Sequence, residues 1–280
     1  MDERYVRHEA LFGAAGQEKL VATRVGIAGT GGLGCFVGME LGYLGVTLQT
    51  LVDADHVELR NLNRLVWATP ADIGRLKVEV MAEMVSRILP GADPVKVPHP
   101  LEHADAQAAL REVDVIFSCL DDDHARLNLI ALATAAGIPF FDLASDVIPE
   151  PGKVPTFGGR VIFSGIGERC AYCTRELDQA EIRRATMTPA ELEIEASIYG
   201  VPVSALTRTS GPSVVSINGV VASLAVTEFM KFITGLLPPA PMLRYNGNTT
   251  SVRRVLDAPS ITPCPYCAAW GREQAHQRRA

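Results

Sequence analysis

A short run of apolar and small residues, Arg24 to Ala28, leads straight into Gly29-Thr30-Gly31-Gly32-Leu33-Gly34 and then into an apolar stretch that ends near Gly45. The order is strand, glycine loop, helix. Glycines spaced as G-x-G-x-x-G permit a tight turn and let backbone N–H groups approach phosphate oxygens. The amino end of the following helix adds partial positive charge there. Asp53 closes the next predicted strand, Thr47 to Val52. A carboxylate about 20 residues beyond such a loop accepts hydrogen bonds from ribose hydroxyls. The loop therefore demands a nucleotide without choosing which one.

The elements around the loop alternate. Residues 8–21 have helical spacing, with Leu11, Ala14, Ala15 and Leu20 toward one side. Helices are expected at 74–89, 103–110 and 123–136, and strands at 94–98, 113–119 and 138–143. This β-α-β-α order implies an α/β fold with a doubly wound, mainly parallel, Rossmann-like sheet. The pattern changes after about residue 145. Pro149, Pro151 and Pro155 mark a loop, Arg160 to Ser164 a strand, and 174–212 a polar, partly helical crossover segment. Ser213 to Thr234 reads as a long apolar helix, and a C-terminal hairpin turns at Asn246-Gly247-Asn248.

The polar residues near the loop narrow the choice of nucleotide. Displacement at a nucleoside triphosphate needs cations beside the leaving pyrophosphate. Arg64 and Lys77, with Asn61, suit that need, and hydride transfer has no use for them. Asp121 follows the strand ending at Cys119, where a carboxylate faces the crevice of an open sheet and can hold Mg²⁺. Asp122 and Asp123 read as caps of the next helix.

With these residues in view, Val25 to Lys77 and Ser118-Cys119-Leu120-Asp121 resemble the ThiF/MoeB/HesA superfamily, bacterial relatives of ubiquitin-activating enzymes. The resemblance runs from Arg4-Tyr5-Val6-Arg7 to the hairpin near residue 250. It implies one adenylation domain over residues 1–280, with a nucleotide-binding half, 1–145, and a substrate-facing half, 146–280. It also implies a homodimer in which Arg7 enters the partner subunit's site. By the same resemblance Gly29, Gly31, Gly32 and Gly34 cradle ATP and Asp53 holds its ribose. Asn61, Arg64 and Lys77 would line the phosphates, and Asp121 would bind Mg²⁺. The implied reaction joins AMP to the C-terminal carboxylate of a ubiquitin-like sulfur-carrier protein and releases pyrophosphate.

Four of the six cysteines form two C-x-x-C pairs, Cys170/Cys173 and Cys264/Cys267. That spacing predicts a closed, structural Zn²⁺ site of four thiolates. Relatives also carry a cysteine in the crossover segment that forms a thioester or persulfide with the carrier. The matching stretch here is Leu206-Thr207-Arg208-Thr209-Ser210-Gly211, with Arg208 about where that cysteine stands. Cys35 and Cys119 are expected to be buried and unreactive. The expected chemistry is thus adenylation followed by direct transfer, with no enzyme thioester. Microcin-type modification of a peptide C-terminus is the alternative. An NAD-dependent oxidoreductase is a weaker one, because it leaves Arg64, Lys77 and the cysteine pairs without a purpose.

A hydrophobic fraction of 48% suits a large core. The net charge of -6 disfavours a general nucleic-acid binder, and the basic pair Arg278-Arg279 reads as a solvated tail. The amino terminus lacks the pattern of a signal peptide, and the apolar stretches, about ten residues long, are too short to span a bilayer. A cytoplasmic location is expected. The segment 174–212 is the expected substrate clamp, with Tyr199, Val201 and Val203 available to cover a substrate tail.

Overall fold

The structure, a computed structural model, describes residues 3–206, 211–256 and 261–271. A helix α1 (Val6–Ala22) leads into β1 (Arg24–Ala28), α2 (Gly34–Leu44), β2 (Leu48–Val52), α3 (Lys77–Ile88), β3 (Val95–Val97), α4 (Ala104–Arg111), β4 (Val115–Ser118) and α5 (Asp123–Ala136). Then come β5 (Phe140–Ile148) and β6 (Thr156–Ser164). The crossover helices follow as α6 (Gln179–Ala185), α7 (Pro189–Tyr199) and α8 (Val203–Leu206). The chain closes through α9 (Val215–Thr234) and the hairpin β7 (Met242–Asn246) and β8 (Ser251–Arg254).

All eight strands join one sheet in the order β3-β2-β1-β4-β5-β6-β7-β8. The first five run parallel, and β6, β7 and β8 extend the sheet antiparallel. Successive side chains on a strand point to opposite faces, and the core divides accordingly. Val25, Ile27, Val115, Phe117, Phe141, Leu143, Val161 and Phe163 pack with Leu20, Val37, Val85 and Phe229 on the face covered by α1, α2, α3 and α9. Ala28, Ile116, Phe140 and Ile162 pack with Ala106, Leu110, Leu129 and Ile130 of α4 and α5 on the other. Four helices end where the sequence offers glycine: Gly45, Gly137, Gly200 and Gly235 take left-handed φ of 87°, 72°, 65° and 75° and let their N–H groups fold back on the last carbonyls.

Several elements differ from their sequence pattern. The phase of α1 is broken at Gly13, whose φ and ψ are 74° and 167°. Leu11 is therefore 57% exposed while Leu20 is buried, so the two do not share a face. The helix expected from residue 74 starts at Lys77, because Leu76 is extended and bridges His56. β5 and β6 outrun their apolar cores as a paired ribbon from Phe140↔Ser164 to Ile148↔Thr156. That extension carries Ser145, Asp146, Gly158 and Gly159, which show no apolar alternation. Asp122 caps α5 by accepting from the Ala125 N–H at 2.7 Å, as expected. Asp123 is no cap: it is buried and accepts from the Asp178 N–H at 2.7 Å. Contrary to the expectation of short apolar stretches, α9 is long and apolar enough to cross a membrane by length and composition. Half of its apolar window is buried inside the molecule, against the sheet and α2.

Phe229 of α9 is fully buried, with its ring centroid 5.4 Å from that of Phe117 and 6.4 Å from that of Phe141. Phe229→Ala is expected to cost about 3–5 kcal/mol, the range for truncating a buried aromatic. Urea unfolding should show a lower midpoint with an unchanged slope, and an unmoved midpoint would contradict this packing.

Candidate functional site

An open parallel sheet binds ligands beyond the carboxyl ends of its strands, where the strand order reverses. That point lies here between β1 and β4, and a cleft of about 490 Å³ opens over it. Gly29, Gly31, Gly32, Asp53, Arg64, Lys77 and Asp121 all line it. The nucleotide-site residues read from the sequence therefore converge, apart from Gly34, Asn61 and Arg7.

The glycine loop is held by close contacts. Gly29 has a φ of +88°, and a Cβ there would sit 2.7 Å from the Cys119 carbonyl oxygen. A Cβ on Gly34 would strike the Gly29 carbonyl oxygen. Asp53 Oδ2 accepts from Thr30 N–H at 2.7 Å and from Thr30 Oγ1 at 2.9 Å, while Oδ1 accepts from Asp55 N–H at 2.8 Å. A carboxylate has about four acceptor positions, so capacity for ribose hydroxyls remains.

Asn61 is buried in the 3₁₀ turn Leu59–Asn61, where its Oδ1 accepts from Glu58 N–H at 3.0 Å. It does not line the cleft, but its carbonyl accepts from Arg64 N–H at 3.0 Å and so anchors the backbone that presents Arg64. The Arg64 guanidinium donates to the Arg60 carbonyl at 2.8 Å and to Asn63 Oδ1 at 3.2 Å. Lys77 is the first residue of α3, not one turn into it. Its side chain is only 12% exposed, and its Nζ lies 2.6 Å from Asp55 Oδ2. Asp121 is exposed to the cleft. Arg7 is exposed on the first turn of α1 and is absent from the lining of its own chain's cleft.

The structure adds residues that sequence reasoning missed. Asp142 of β5 is fully buried between Arg126 of α5, at 3.0 Å, and Arg160 of β6, and it also accepts from Ser118 Oγ at 3.1 Å. Burial alone would raise its carboxyl, but the two guanidiniums outweigh that and hold it below the usual carboxylate range. Arg160 in turn lies 3.3 Å from Glu176, which Arg244 approaches to 2.5 Å. Asn218, in the first turns of α9, is 1% exposed and lines the cleft beside Ser145 and Ser213. Polarity inside otherwise apolar segments was the available signal for both Asp142 and Asn218.

Away from the cleft, Cys170 Sγ lies 3.9 Å from Cys173 Sγ and 3.8 Å from Cys264 Sγ, and all four sulfurs of the two C-x-x-C pairs lie within 4.8 Å of one another. Zn–S bonds of about 2.3 Å in a tetrahedron require S···S edges of roughly 3.8 Å, so the cluster fits such an ion. Backbone N–H groups of Cys170 and Cys267 point at Cys173 and Cys264 sulfurs. Hydrogen bonds from the Cys170 and Cys267 thiols pull the Cys173 thiol far below its ordinary value, which favours a thiolate. Burial pushes the Cys35 thiol up to about 11 and raises Cys119 as well, so both are poor nucleophiles. Arg208 lies outside the described residues. Tyr199 is 61% exposed and Val201 37%, and neither covers the cleft. A second group, His99, His103 and Asp105, reaches the cleft lining only through His99. Its imidazoles stack at 4.0 Å and 10°, so their in-plane lone pairs run parallel and do not converge on an ion.

The model of the ThiF family matches residues 5–266. Molybdopterin-synthase adenylyltransferase of Escherichia coli (strain K12) is 30% identical over 90% of this chain and 91% of its own length. The sulfur carrier protein ThiS adenylyltransferase of the same organism is 28% identical over 94% of each chain. Among solved structures, E. coli MccB with AMPCPP and MccA superposes with a TM-score of 0.73 at 20% identity, covering 95% of this chain and 74% of that one, and so shares the fold.

Asp142→Asn would leave two buried guanidiniums facing a neutral amide and is expected to cost about 3–5 kcal/mol at neutral pH. The native carboxyl is held low, so its contribution is full above the unfolded carboxylate value near 4 and is lost as pH falls through the folded value. The gap in urea midpoint between wild type and variant should stay flat between about pH 6 and 8 and narrow below about pH 4. A gap that widens on acidification would contradict this.

Proposed function

Because this chain belongs to the ThiF family and is an adenylyltransferase, we propose that it activates the C-terminal carboxylate of a ubiquitin-like sulfur-carrier protein as an acyl-adenylate. The observation that carries this is the convergence of the glycine loop, Asp53, Arg64, Lys77 and Asp121 on one cleft. A carboxylate oxygen attacks the α-phosphorus of ATP, a new O–P bond forms, the bond to the bridging oxygen breaks, and pyrophosphate leaves. No proton needs to move, so the residues act by position and charge. Gly31 and Gly32 give the phosphates close backbone approach, Asp53 accepts from the ribose, and Arg64 and Lys77 neutralise the departing pyrophosphate. The Lys77 ammonium exchanges Asp55 for phosphate as ATP enters. Asp121 is the carboxylate available to Mg²⁺, which when bound screens phosphate charge. The role of Asn61 in this reading is to hold the turn that presents Arg64.

The reading extends to a homodimer in which Arg7 reaches the partner subunit's cleft. Its support is the exposure of Arg7 away from its own cleft. It also includes direct transfer of the acyl-adenylate to an outside nucleophile. The crossover segment contains no cysteine between Cys173 and Cys264, and Cys35 and Cys119 are buried with raised thiols. The same absence leaves a peptide C-terminus open as the alternative substrate. The four clustered cysteines hold a structural Zn²⁺ that ties residues 264–267 to the chain following β6. Such a site of reduced thiolates suits the cytoplasm.

ATP with a carrier ending in Gly-Gly should release pyrophosphate, and Lys77→Ala should slow this by about 100-fold or more, as loss of a charge-stabilising group does. A non-reducing gel should show no thiol-labile enzyme–carrier adduct. Such an adduct would refute direct transfer, and the absence of pyrophosphate release with every carboxylate tried would refute adenylation. Elemental analysis should find about one zinc per chain, and a strong chelator should lower the melting temperature. A zinc-free protein with an unchanged melt would refute the metal site.

A further inference from the structure

The cleft has two ends, and the sheet order separates them. Beyond the strand ends lie, in sequence across the sheet, His99 to Leu101 after β3, Asp53 after β2, the glycine loop after β1, Asp121 after β4 and Ser145 on β5. A nucleotide whose ribose meets Asp53 and whose phosphates meet Gly31, Gly32, Arg64 and Lys77 fills the β3-β2-β1 side. The β5 side remains. It is lined by Ser145 to Ile148, by Gly211 to Ser213 at the end of the crossover segment, and by Asn218 of α9.

We propose that Asn218 and Ser213, oriented by Ser145, form the seat of the acyl substrate's carboxylate. This rests on the adenylation reading and deepens it by assigning the second substrate's subsite. Ser145 Oγ donates to Asn218 Oδ1 at 2.7 Å. Asn218 Nδ2 donates one hydrogen to Ser213 Oγ at 3.0 Å. An amide nitrogen has two hydrogens and a hydroxyl has one. One Asn218 N–H and the Ser213 O–H therefore remain without an acceptor among the described residues. Two adjacent donors suit the two oxygens of a carboxylate.

The position is right for attack on phosphorus. A Cβ added to Gly32 would collide with Asn218 Nδ2 on one side and lie 3.3 Å from Arg64 Cδ on the other. The seat thus borders the same glycine that carries the phosphates, and a carboxylate held there stands beside the α-phosphate. Val147, Ile148 and Pro212 then flank the path of an extended tail.

The test uses the whole protein, labelled with ¹⁵N in asparagine and saturated with α,β-methylene ATP, which binds but cannot transfer AMP. Glycylglycine and glycylglycinamide are titrated in turn. The side-chain amide pair that is missing from an Asn218→Ser variant is expected to shift saturably with the free carboxylate and to stay still with the amide. In pyrophosphate exchange driven by a peptide ending in Gly-Gly, Asn218→Leu and Ser213→Ala should each raise the peptide KM by about 10- to 100-fold, the loss of one hydrogen bond to a charged group. The KM for ATP should change less than about two-fold. Ser213→Ala deletes one oxygen at a half-buried position and guards against a folding defect at Asn218. An Asn218 resonance unmoved by carboxylate in nucleotide-bound protein overturns the seat, as does a rise in KM shared equally by ATP. Failure of the ATP analogue to bind would instead overturn the adenylation reading.

Discussion

Asp142 is the point on which the rest of the structure leans. Its two oxygens are shared by Arg126 and Arg160, and Ser118 adds a third donor. Those partners come from α5, β6 and β4, so one carboxylate joins the parallel half of the sheet to its antiparallel extension and to the helix that roofs it. A buried charge pair contributes little net stability against an apolar replacement of the same shape, but losing one member strands the other. The cluster therefore acts as a keystone for geometry. It is also the floor of the cleft, since Arg126 and Arg160 both line it.

From that floor the order of the cleft follows. Asp53 binds the glycine loop through Thr30 and the Asp55 turn through a backbone N–H, and Asp55 in turn holds Lys77. One short segment, Asp53 to Asp55, thereby sets the distance between the Asp53 carboxylate and the Lys77 ammonium. Asn61 does the same for Arg64 through backbone hydrogen bonds. The charged side chains of the cleft are thus preorganised by groups that are themselves held.

Much of this was legible in the sequence because it depends on local rules. G-x-G-x-x-G, the carboxylate at the next strand end and the two C-x-x-C pairs are short patterns whose chemistry forces their context. Gly45 marked a helix end correctly. What could not be read depends on partners far away in the chain. Asp142 meets Arg160 and Asn218 meets Ser145 only after the sheet has formed, and neither pair shares a spacing rule. Asn61 showed the opposite error. A polar residue in the right stretch suggested ligand contact, but its side chain serves the turn. Asp123 failed likewise, because nothing nearby in sequence revealed Asp178 as its partner.

The crossover segment shows why these long-range contacts bear on function. It leaves the cysteine cluster at Cys173 and is pinned by Arg160 and Arg244 at Glu176 and by Asp123 at Asp178. Its far end, Ser213, is held by Asn218. Between these anchors Glu195 of α7 ties back to Arg183 and Arg184 of α6, while Ile194 and Ile198 stand 62% and 75% exposed, one helical turn apart. Both anchors rest on residues that line the cleft. Both ends of the segment are therefore fixed beside the cleft, whereas α7 between them contributes no residue to its lining.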